Sequence, residues 1–349
     1  MATTAYTSNS AEMWTLPPPP RFPGIPQILD DYSLAMHLGI RCKTLWFLIL
    51  CRKTLYHRFV IKKASGGHRV LHAPDTRLKY VQGQIYHRIL KHIPTLPCVG
   101  AYVEGVSCSD NAAQHVGQGV KIGMDLKDFF PSHRRKKVQS YFQDHLGYSQ
   151  YVAGLLSALC TVVEPMKDPE GKIYDLSFVP QGSPASPTLC NLIAQERIDK
   201  SILSYTQPLG WAYTRYSDDL TFSHPEALPK EVLKNFLQEI YKTVNTGGYM
   251  VNYKKTKIQY YWRKQKMLGI VVNEKLNIDS EEFGKYRNIL FNCVKHGLTP
   301  NAQRFGWFPE ETFINHLKGK VNYFSQVNPV RTAQLKRRLE ELGGTGGTA

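Results

Sequence analysis

Three aspartates stand where their type and spacing could do chemistry. Asp218 and Asp219 are adjacent, in the run Trp211-Ala212-Tyr213-Thr214-Arg215-Tyr216-Ser217-Asp218-Asp219-Leu220-Thr221-Phe222-Ser223. β-Branched and aromatic residues flank them on both sides, which puts the pair at the tip of a β-hairpin. Adjacent carboxylates repel each other and gain nothing from burial, unless a divalent cation sits between them and a third carboxylate. Asp125 closes the apolar run Val120-Lys121-Ile122-Gly123-Met124 and can supply that third group. Together the three could hold two Mg²⁺ ions roughly 3.5–4 Å apart, the arrangement that activates a 3′-hydroxyl and stabilises a leaving pyrophosphate. Magnesium suits so small a donor set because it completes its shell with phosphates and water. The competing reading is a plain polar turn, for which Ser and Asp are common residues.

The chain around this triad has 349 residues, enough for one large or two to three smaller domains, with an ordinary globular share of apolar residues. Its charge is not ordinary. Lys and Arg number 44 against 28 Asp and Glu, a net +16 that implies a polyanionic partner. Nucleic acid is the first candidate, a membrane surface the second, and a merely basic enzyme the bland alternative. The seven cysteines form no C-x-x-C pair, which argues against a zinc knuckle or disulfide framework and for a reducing cytoplasm. The N-terminus lacks a signal pattern, and the longest apolar run, Leu45 to Cys51, is too short to span a bilayer.

Several elements must position the triad. Residues 1–30 form a proline-rich tail, expected to be extended or disordered and draped on the body. Two short helices broken at Gly39 are expected from Asp30 to Leu55. A very basic β-hairpin follows over Tyr56–Pro74, turning at Ser65-Gly66-Gly67; it is either a lysine-guarded edge or a flap whose cations reach phosphates. Leu78–Ile93 reads as an amphipathic helix, and Asn111–His115 as the start or part of another, with His115 a core or capping residue. Arg134, Arg135, Lys136 and Lys137 fall in the first turn of a helix expected over 134–146, where the helix dipole disfavours cations; phosphate binding or simple solvation would explain them. The rigid run Val179–Pro187 leads into a helix from Leu189, and Gly182 permits close backbone approach to a ligand. A helix over 230–244 follows, then a strand over Lys266–Asn273 bent at Gly269. The remainder reads as basic helices near 280–296, 310–325 and 330–342. No internal repeat is visible.

In chain order, Asp125 to Phe130, Pro180-Gln181-Gly182 to Ser186-Pro187, Tyr216-Ser217-Asp218-Asp219, Asn252 to Lys255-Thr256 and Leu268-Gly269 resemble the successive motifs of reverse transcriptases. The likeness covers roughly residues 55–330. It implies an α+β, right-hand polymerase fold, with interleaved fingers and palm over 31–275 and a helical, basic thumb over 276–349. It implies metal binding at Asp125, Leu126, Asp218 and Asp219, with two Mg²⁺ ions for which Mn²⁺ could substitute. Phe130 becomes a steric gate against a ribose 2′-hydroxyl. Gln181 and Gly182 border the incoming dNTP, Arg69 pairs with its triphosphate, and Lys255 protonates the leaving pyrophosphate. Leu268 and Gly269 grip the primer terminus, and Arg134, Arg135, Lys136, Lys137 and Lys320 hold nucleic acid.

Within that superfamily the chain resembles the bacterial retron group. Asn111-Ala112-Ala113-Gln114-His115 is similar to its Asn-Ala-x-x-His element, and Gly319–Phe324 with Val327-Asn328-Pro329 to its thumb. Two departures stand out: Met267-Leu268-Gly269 where retrons carry Val-Thr-Gly, and Ser217 where Ala is usual. The resemblance implies a structured non-coding RNA as template, a 2′-hydroxyl of it as primer, and single-stranded DNA as product. A separate effector protein, anti-phage defence and no membrane partner complete the picture. The rivals are a group II intron-type enzyme, a template-independent defence polymerase and a catalytically dead RNA-binding protein.

Overall fold

The computed structural model describes residues 20–62, 66–307 and 309–344. In chain order they form α1 (Asp31–His37), α2 (Cys42–Leu50), the hairpin strands β1 (Tyr56–Lys62) and β2 (His68–Pro74), α3 (Thr76–Arg88), α4 (Cys108–Ala113) and β3 (Val120–Asp125). Next come α5 (Arg135–Ser140), α6 (Gln150–Leu159), β4 (Val162–Lys167), β5 (Ile173–Phe178), α7 (Ser186–Ala194) and α8 (Lys200–Thr206). The hairpin β6 (Ala212–Tyr216) and β7 (Asp219–His224) precedes α9 (Lys230–Thr246) and β8 (Lys257–Tyr260). Three two-residue strands, β9 (Lys266–Met267), β10 (Ile270–Val271) and β11 (Asn277–Ile278), lead into α10 (Ser280–His296), α11 (Leu298–Arg304), α12 (Glu310–Val327) and α13 (Pro329–Gly344). Helices and purely antiparallel sheets thus coexist, as the α+β expectation requires.

The chain divides into two compact units. One holds residues up to 94 together with 133–193. Its core is helical: Leu34, Leu45, Leu48, Leu78, Ile85, Val152 and Leu156 are all buried, drawn from α1, α2, α3 and α6. Asp30 starts α1 with a capping box to Ser33, and Asp75 caps α3, so both helices begin where a side chain satisfies a free N–H. The expected break at Gly39 is present, with the glycine at φ +69°. No single helix among the described residues is long and apolar enough to cross a membrane.

Residues 1–19 and the hairpin tip at 63–65, including Ser65 of the expected turn, lie outside the described residues. The rest of the tail is fastened to this unit. Arg21 N–H donates to the Leu146 carbonyl, Tyr148 Oη donates to the Pro26 carbonyl, and Ile25 and Ile28 are buried. Burial of these two isoleucines explains why a proline-rich segment lies ordered on the body.

The other unit holds 95–132 and 194–349. Its centre is a four-stranded antiparallel sheet in the order β6-β7-β3-β8. Leu233, Phe236, Ile240 and Val244 are buried along α9, with Phe236 stacked on Trp211 at 3.9 Å. A second core joins Ile270, Val272 and Ile278 to Leu290, Phe313, Leu317, Val321 and Phe324 of the C-terminal helices.

Two differences from the sequence expectation have physical reasons. The strand expected over 266–273 is instead a hairpin, β9 paired with β10 through Met267↔Ile270. Leu268 and Gly269 turn it with φ of +49° and +85°, and positive φ at both central residues is the mark of a type I′ turn. Helix α6, the hairpin β4–β5 and helix α11 were not anticipated; α6 is apolar nearly all round, so no amphipathic stripe marks it. Gly182, expected to let backbone approach a ligand, comes close to the protein's own main chain: a Cβ there would lie 2.8 Å from the His72 carbonyl oxygen, at φ +130°. The neighbouring Gln181 carbonyl accepts from His72 N–H at 2.9 Å, so the loop is laced to β2. Gly182→Ala is therefore expected to cost about 1–3 kcal/mol in urea unfolding. Gln181→Ala should leave the midpoint unchanged, since Gln181 is held through its main chain.

Candidate active site

The double aspartate sits on a two-residue turn. Tyr216 pairs with Asp219 across β6–β7, leaving Ser217 and Asp218 as the central residues. Ser217 has φ +60°, a position that usually selects glycine at the start of a II′ turn, so the turn is strained by its own side chain. Both of its carbonyls are held. Leu126 N–H donates to Asp218 O at 2.9 Å, and Arg215 Nη1–H donates to Ser217 O at 3.2 Å.

Arg215 is fully buried and grips Asp199 through Nε at 3.0 Å and Nη2 at 2.7 Å, while Tyr213 Oη donates to the same carboxylate at 2.7 Å. Burial works against the guanidinium charge, but Asp199 more than compensates and raises its pKa. The Arg215 guanidinium also lies 5.8 Å from the Phe129 ring centre. Phe129 stacks on Tyr249 and meets Phe130 edge-on at 5.7 Å, and Phe130 in turn meets Tyr102. One buried ion pair thus underlies both the aspartate turn and the Phe130 ring.

The hairpin is also clamped from behind. His115 spans β6 and β7, with Nδ1 2.7 Å from Ser223 Oγ and Nε2 2.8 Å from Thr214 Oγ1. Thr214 Oγ1 donates to Asn111 Oδ1, so Nε2–H donates to Thr214 and Nδ1 accepts from Ser223. Burial and nearby Lys121 push the His115 pKa down to about 3, so the ring is neutral. This is the core role expected of His115.

The third aspartate arrives by register. Asp125 and Asp219 are paired residues across β3–β7, which brings Asp125 beside the turn. Its Oδ1 accepts from Lys255 Nζ at 2.8 Å, its Oδ2 lies 3.3 Å from Asn252 Nδ2, and its main-chain carbonyl accepts from Asn252 N–H at 2.7 Å. Lys255 gains from this: its hydrogen bond to Asp125 raises its pKa. Although Asp219 is open to solvent on one side, desolvation by the surrounding protein, then the charges of Asp218 and Asp125, push its pKa up to about 6. Asp218 is raised as well, by burial first. Among the described residues no three His, Cys, Asp or Glu side chains gather closely enough to form a ready-made metal cage. Accumulated, mutually repelling negative charge of this kind does fit a divalent cation that draws most of its ligands from substrate.

The remaining candidates divide between the units. With the carboxylates lie Leu268-Gly269 and Lys320. Tyr323 Oη donates to Leu268 O at 3.3 Å, bracing the strained turn from α12. That turn, Tyr216, His316, Tyr323 and Lys320 border a cavity of about 640 Å³. Lys320 is itself paired with Glu282 at 2.9 Å. In the other unit, Arg69 is exposed on β2 with no side-chain partner among the described residues. Arg134 and Lys136 are exposed, whereas Arg135 is turned onto α6, donating to Ser157 Oγ and the Gly154 carbonyl. Those bonds make Arg135 a packing residue rather than a free cation. The sequence reading passed over Asp199 and Arg215. A charge at an inward position of an alternating strand, between buried Tyr213 and Ser217, was the signal that could have found Arg215.

Comparison with known proteins bears on what this arrangement does. The reverse transcriptase (RNA-dependent DNA polymerase) family matches residues 61–272. The retron Mx65 reverse transcriptase of Myxococcus xanthus is 33% identical over 92% of this chain and 73% of its own length. The retron Ec86 reverse transcriptase of Escherichia coli is 29% identical over 76% of this chain and 78% of its own. Among solved structures, telomerase from Candida albicans in complex with a TWJ fragment of telomeric RNA aligns with a TM-score of 0.45 and 13% identity, over 82% of this chain and 63% of that one.

Two outcomes follow from the geometry. Asp199→Asn leaves a buried guanidinium unpaired and is expected to cost about 3–5 kcal/mol in chemical unfolding. The folded pKa of Asp219 lies above its unfolded value of 3.8, so ionising it costs folded-state stability as pH rises through about 6. With divalent ions chelated, Asp219→Asn should therefore raise the thermal midpoint at pH 7. The gain should shrink as pH falls towards 4.

Proposed function

Because the chain belongs to the retron group of the reverse transcriptase family, and is accordingly an RNA-directed DNA polymerase of right-hand fold, we propose that it copies part of a cognate structured non-coding RNA into single-stranded DNA (msDNA) at Asp125, Asp218 and Asp219. The observation that carries this reading is the pairing of Asp125 with Asp219, next to a turn whose two carbonyls are both pinned. The sheet register and two hydrogen bonds, one of them from the Arg215 that Asp199 holds, support the grouping of the three carboxylates.

These carboxylates, with the Leu126 main chain, are the residues that would hold two Mg²⁺ ions, with Mn²⁺ as a substitute. Bound there, the metal supplies activation of the primer hydroxyl and charge neutralisation at the leaving pyrophosphate. The protein's own part is positioning. Arg215 and Leu126 keep the turn in one shape, and Phe130, backed by Phe129 and Tyr102, presents a rigid ring where a ribose 2′-hydroxyl would clash. Lys255 holds Asp125 through Oδ1, an oxygen that a divalent ion would also take. Its hydrogen bond to Asp125 raises its pKa, so it is a protonated amine that would be able to donate to pyrophosphate.

In this scheme Arg69, Gln181 and Gly182 serve the incoming dNTP, and Leu268-Gly269 the primer end, which is a 2′-hydroxyl of the RNA. Arg134, Lys136, Lys137 and Lys320 hold the A-form hybrid through its backbone. Fingers and palm span 31–275 and the thumb 276–349. The product complex works in the cytoplasm, with a separate effector protein, in defence against phage.

The combined variant Asp218→Asn, Asp219→Asn should abolish Mg²⁺-dependent dNTP incorporation on a primed RNA while RNA binding persists; undiminished synthesis would remove the metal assignment. Arg215→Lys keeps a cation for Asp199 but loses the Nη1–H donated to the Ser217 carbonyl. It should lower kcat about 10- to 100-fold by misplacing the turn, with KM for dNTP changed much less. Phe130→Ala should admit ribonucleotides, read as NTP incorporation on the same template.

A further inference from the structure

The run from Val251 to Asn273 contains six Lys or Arg residues and no Asp or Glu. Lys255 is committed to Asp125, and Lys264 and Lys266 to Asp279. Lys254, Lys257 and Arg263 remain exposed without an ion pair among the described residues. Between Lys257 and Arg263, where β8 ends, three aromatic residues follow one another. Tyr260 and Trp262 are stacked at 4.6 Å with their planes 3° apart, and Trp262 meets Tyr261 edge-on. Tyr261 and Trp262 are 61% and 59% exposed.

The chain beneath these exposed rings is tied. Arg263 N–H donates to the Tyr260 carbonyl, and Tyr261 N–H to that of Gly119. Asn273 Nδ2 donates to the carbonyls of Tyr261 and Arg263, at 3.0 and 2.8 Å. Tyr260 Oη donates to the Leu228 carbonyl. The stack is therefore already ordered, and a ring laid on Trp262 would lose little protein entropy.

We infer that Tyr260, Tyr261 and Trp262 form a stacking platform for unpaired bases of the RNA that the enzyme carries, with Lys257 and Arg263 on the phosphates. A protein partner is the weaker fit, since the run that carries the rings holds six cations and no carboxylate. Base-paired nucleic acid is weaker still, because an open ring face accepts a splayed-out base and not a duplex. The platform is remote from the chemistry. Along the sheet Tyr260 pairs with Val120 at one end of β3, while Asp125 lies at the other, about 17 Å away at strand spacing. It is thus a second anchoring point that holds the RNA while the cleft copies it. This inference rests on the RNA-copying reading above.

The test uses the full chain, with excess unlabelled RNA–DNA hybrid occupying the cleft, and a fluorescent oligo(rA) 12-mer as the probe. Tyr261→Ala with Trp262→Ala should weaken probe binding about tenfold or more, the loss of one or two stacked bases. Trp262→Phe should retain most of it, and dTTP incorporation on oligo(dT)-primed poly(rA) should stay at the parent level in both variants. Unchanged affinity for oligo(rA) would overturn the platform and leave the face to a protein, as would a loss confined to oligo(dA). A parent that polymerises yet never binds the probe would also overturn it, with the polymerase reading intact. A parent that neither polymerises nor binds RNA would tell against that reading itself.

Discussion

The candidate active site depends on one buried ion pair. Arg215 and Asp199 are both wholly removed from water, and neither charge would be tolerated there alone. Two apolar side chains could fill the same space. What they could not do is reach the Ser217 carbonyl with a spare N–H while lying under the Phe129 ring. The planar, five-donor guanidinium can serve a carboxylate, a carbonyl and an aromatic face at once, where a lysine is a single point charge. The pair therefore joins the shape of the aspartate turn to the seating of Phe130.

Such a tie matters because the turns beside the site are strained. Ser217 and Leu268 both hold positive φ, at +60° and +49°, where a side chain is unwelcome. Each is held by a side chain from another element, Arg215 acting on the carbonyl of Ser217 and Tyr323 on that of Leu268. A residue in a disfavoured conformation stays there only when its surroundings over-determine it, and these hydrogen bonds supply that constraint. Tyr216 and Leu268 border one cavity, so the two strained turns face the same space.

Electrostatics run in opposition at two scales. The chain is strongly basic as a whole, yet carries three carboxylates close enough for the protonation of one to depend on the others. Lys255 sits on Asp125 and relieves part of that repulsion. A positive background of this size favours a polyanion, and the local negative charge favours a cation.

Motif order and residue type were legible in the chain itself. The adjacent aspartates, their strand-forming flanks, Asp125 at a strand end and the cation excess follow from local propensity and simple charge counting, so the hairpin and the three carboxylates could be read, and a polyanionic partner expected, without coordinates. The break at Gly39 and helices α9, α10 and α12 were equally visible, because their patterns are local. Long-range pairing was not. Whether Asp125 meets Asp219 depends on the register of β3 against β7, and a one-residue slip would turn it to the other face. That Gly182 serves His72, that Arg135 serves α6, and that Arg215 finds Asp199 sixteen residues away are contacts made only when the chain closes on itself. Local sequence sets which groups are present and which strand or helix carries them. Tertiary packing alone decides which of them lose water together, and that shared loss of water makes a carboxylate repel, an arginine bind and a turn hold its strain.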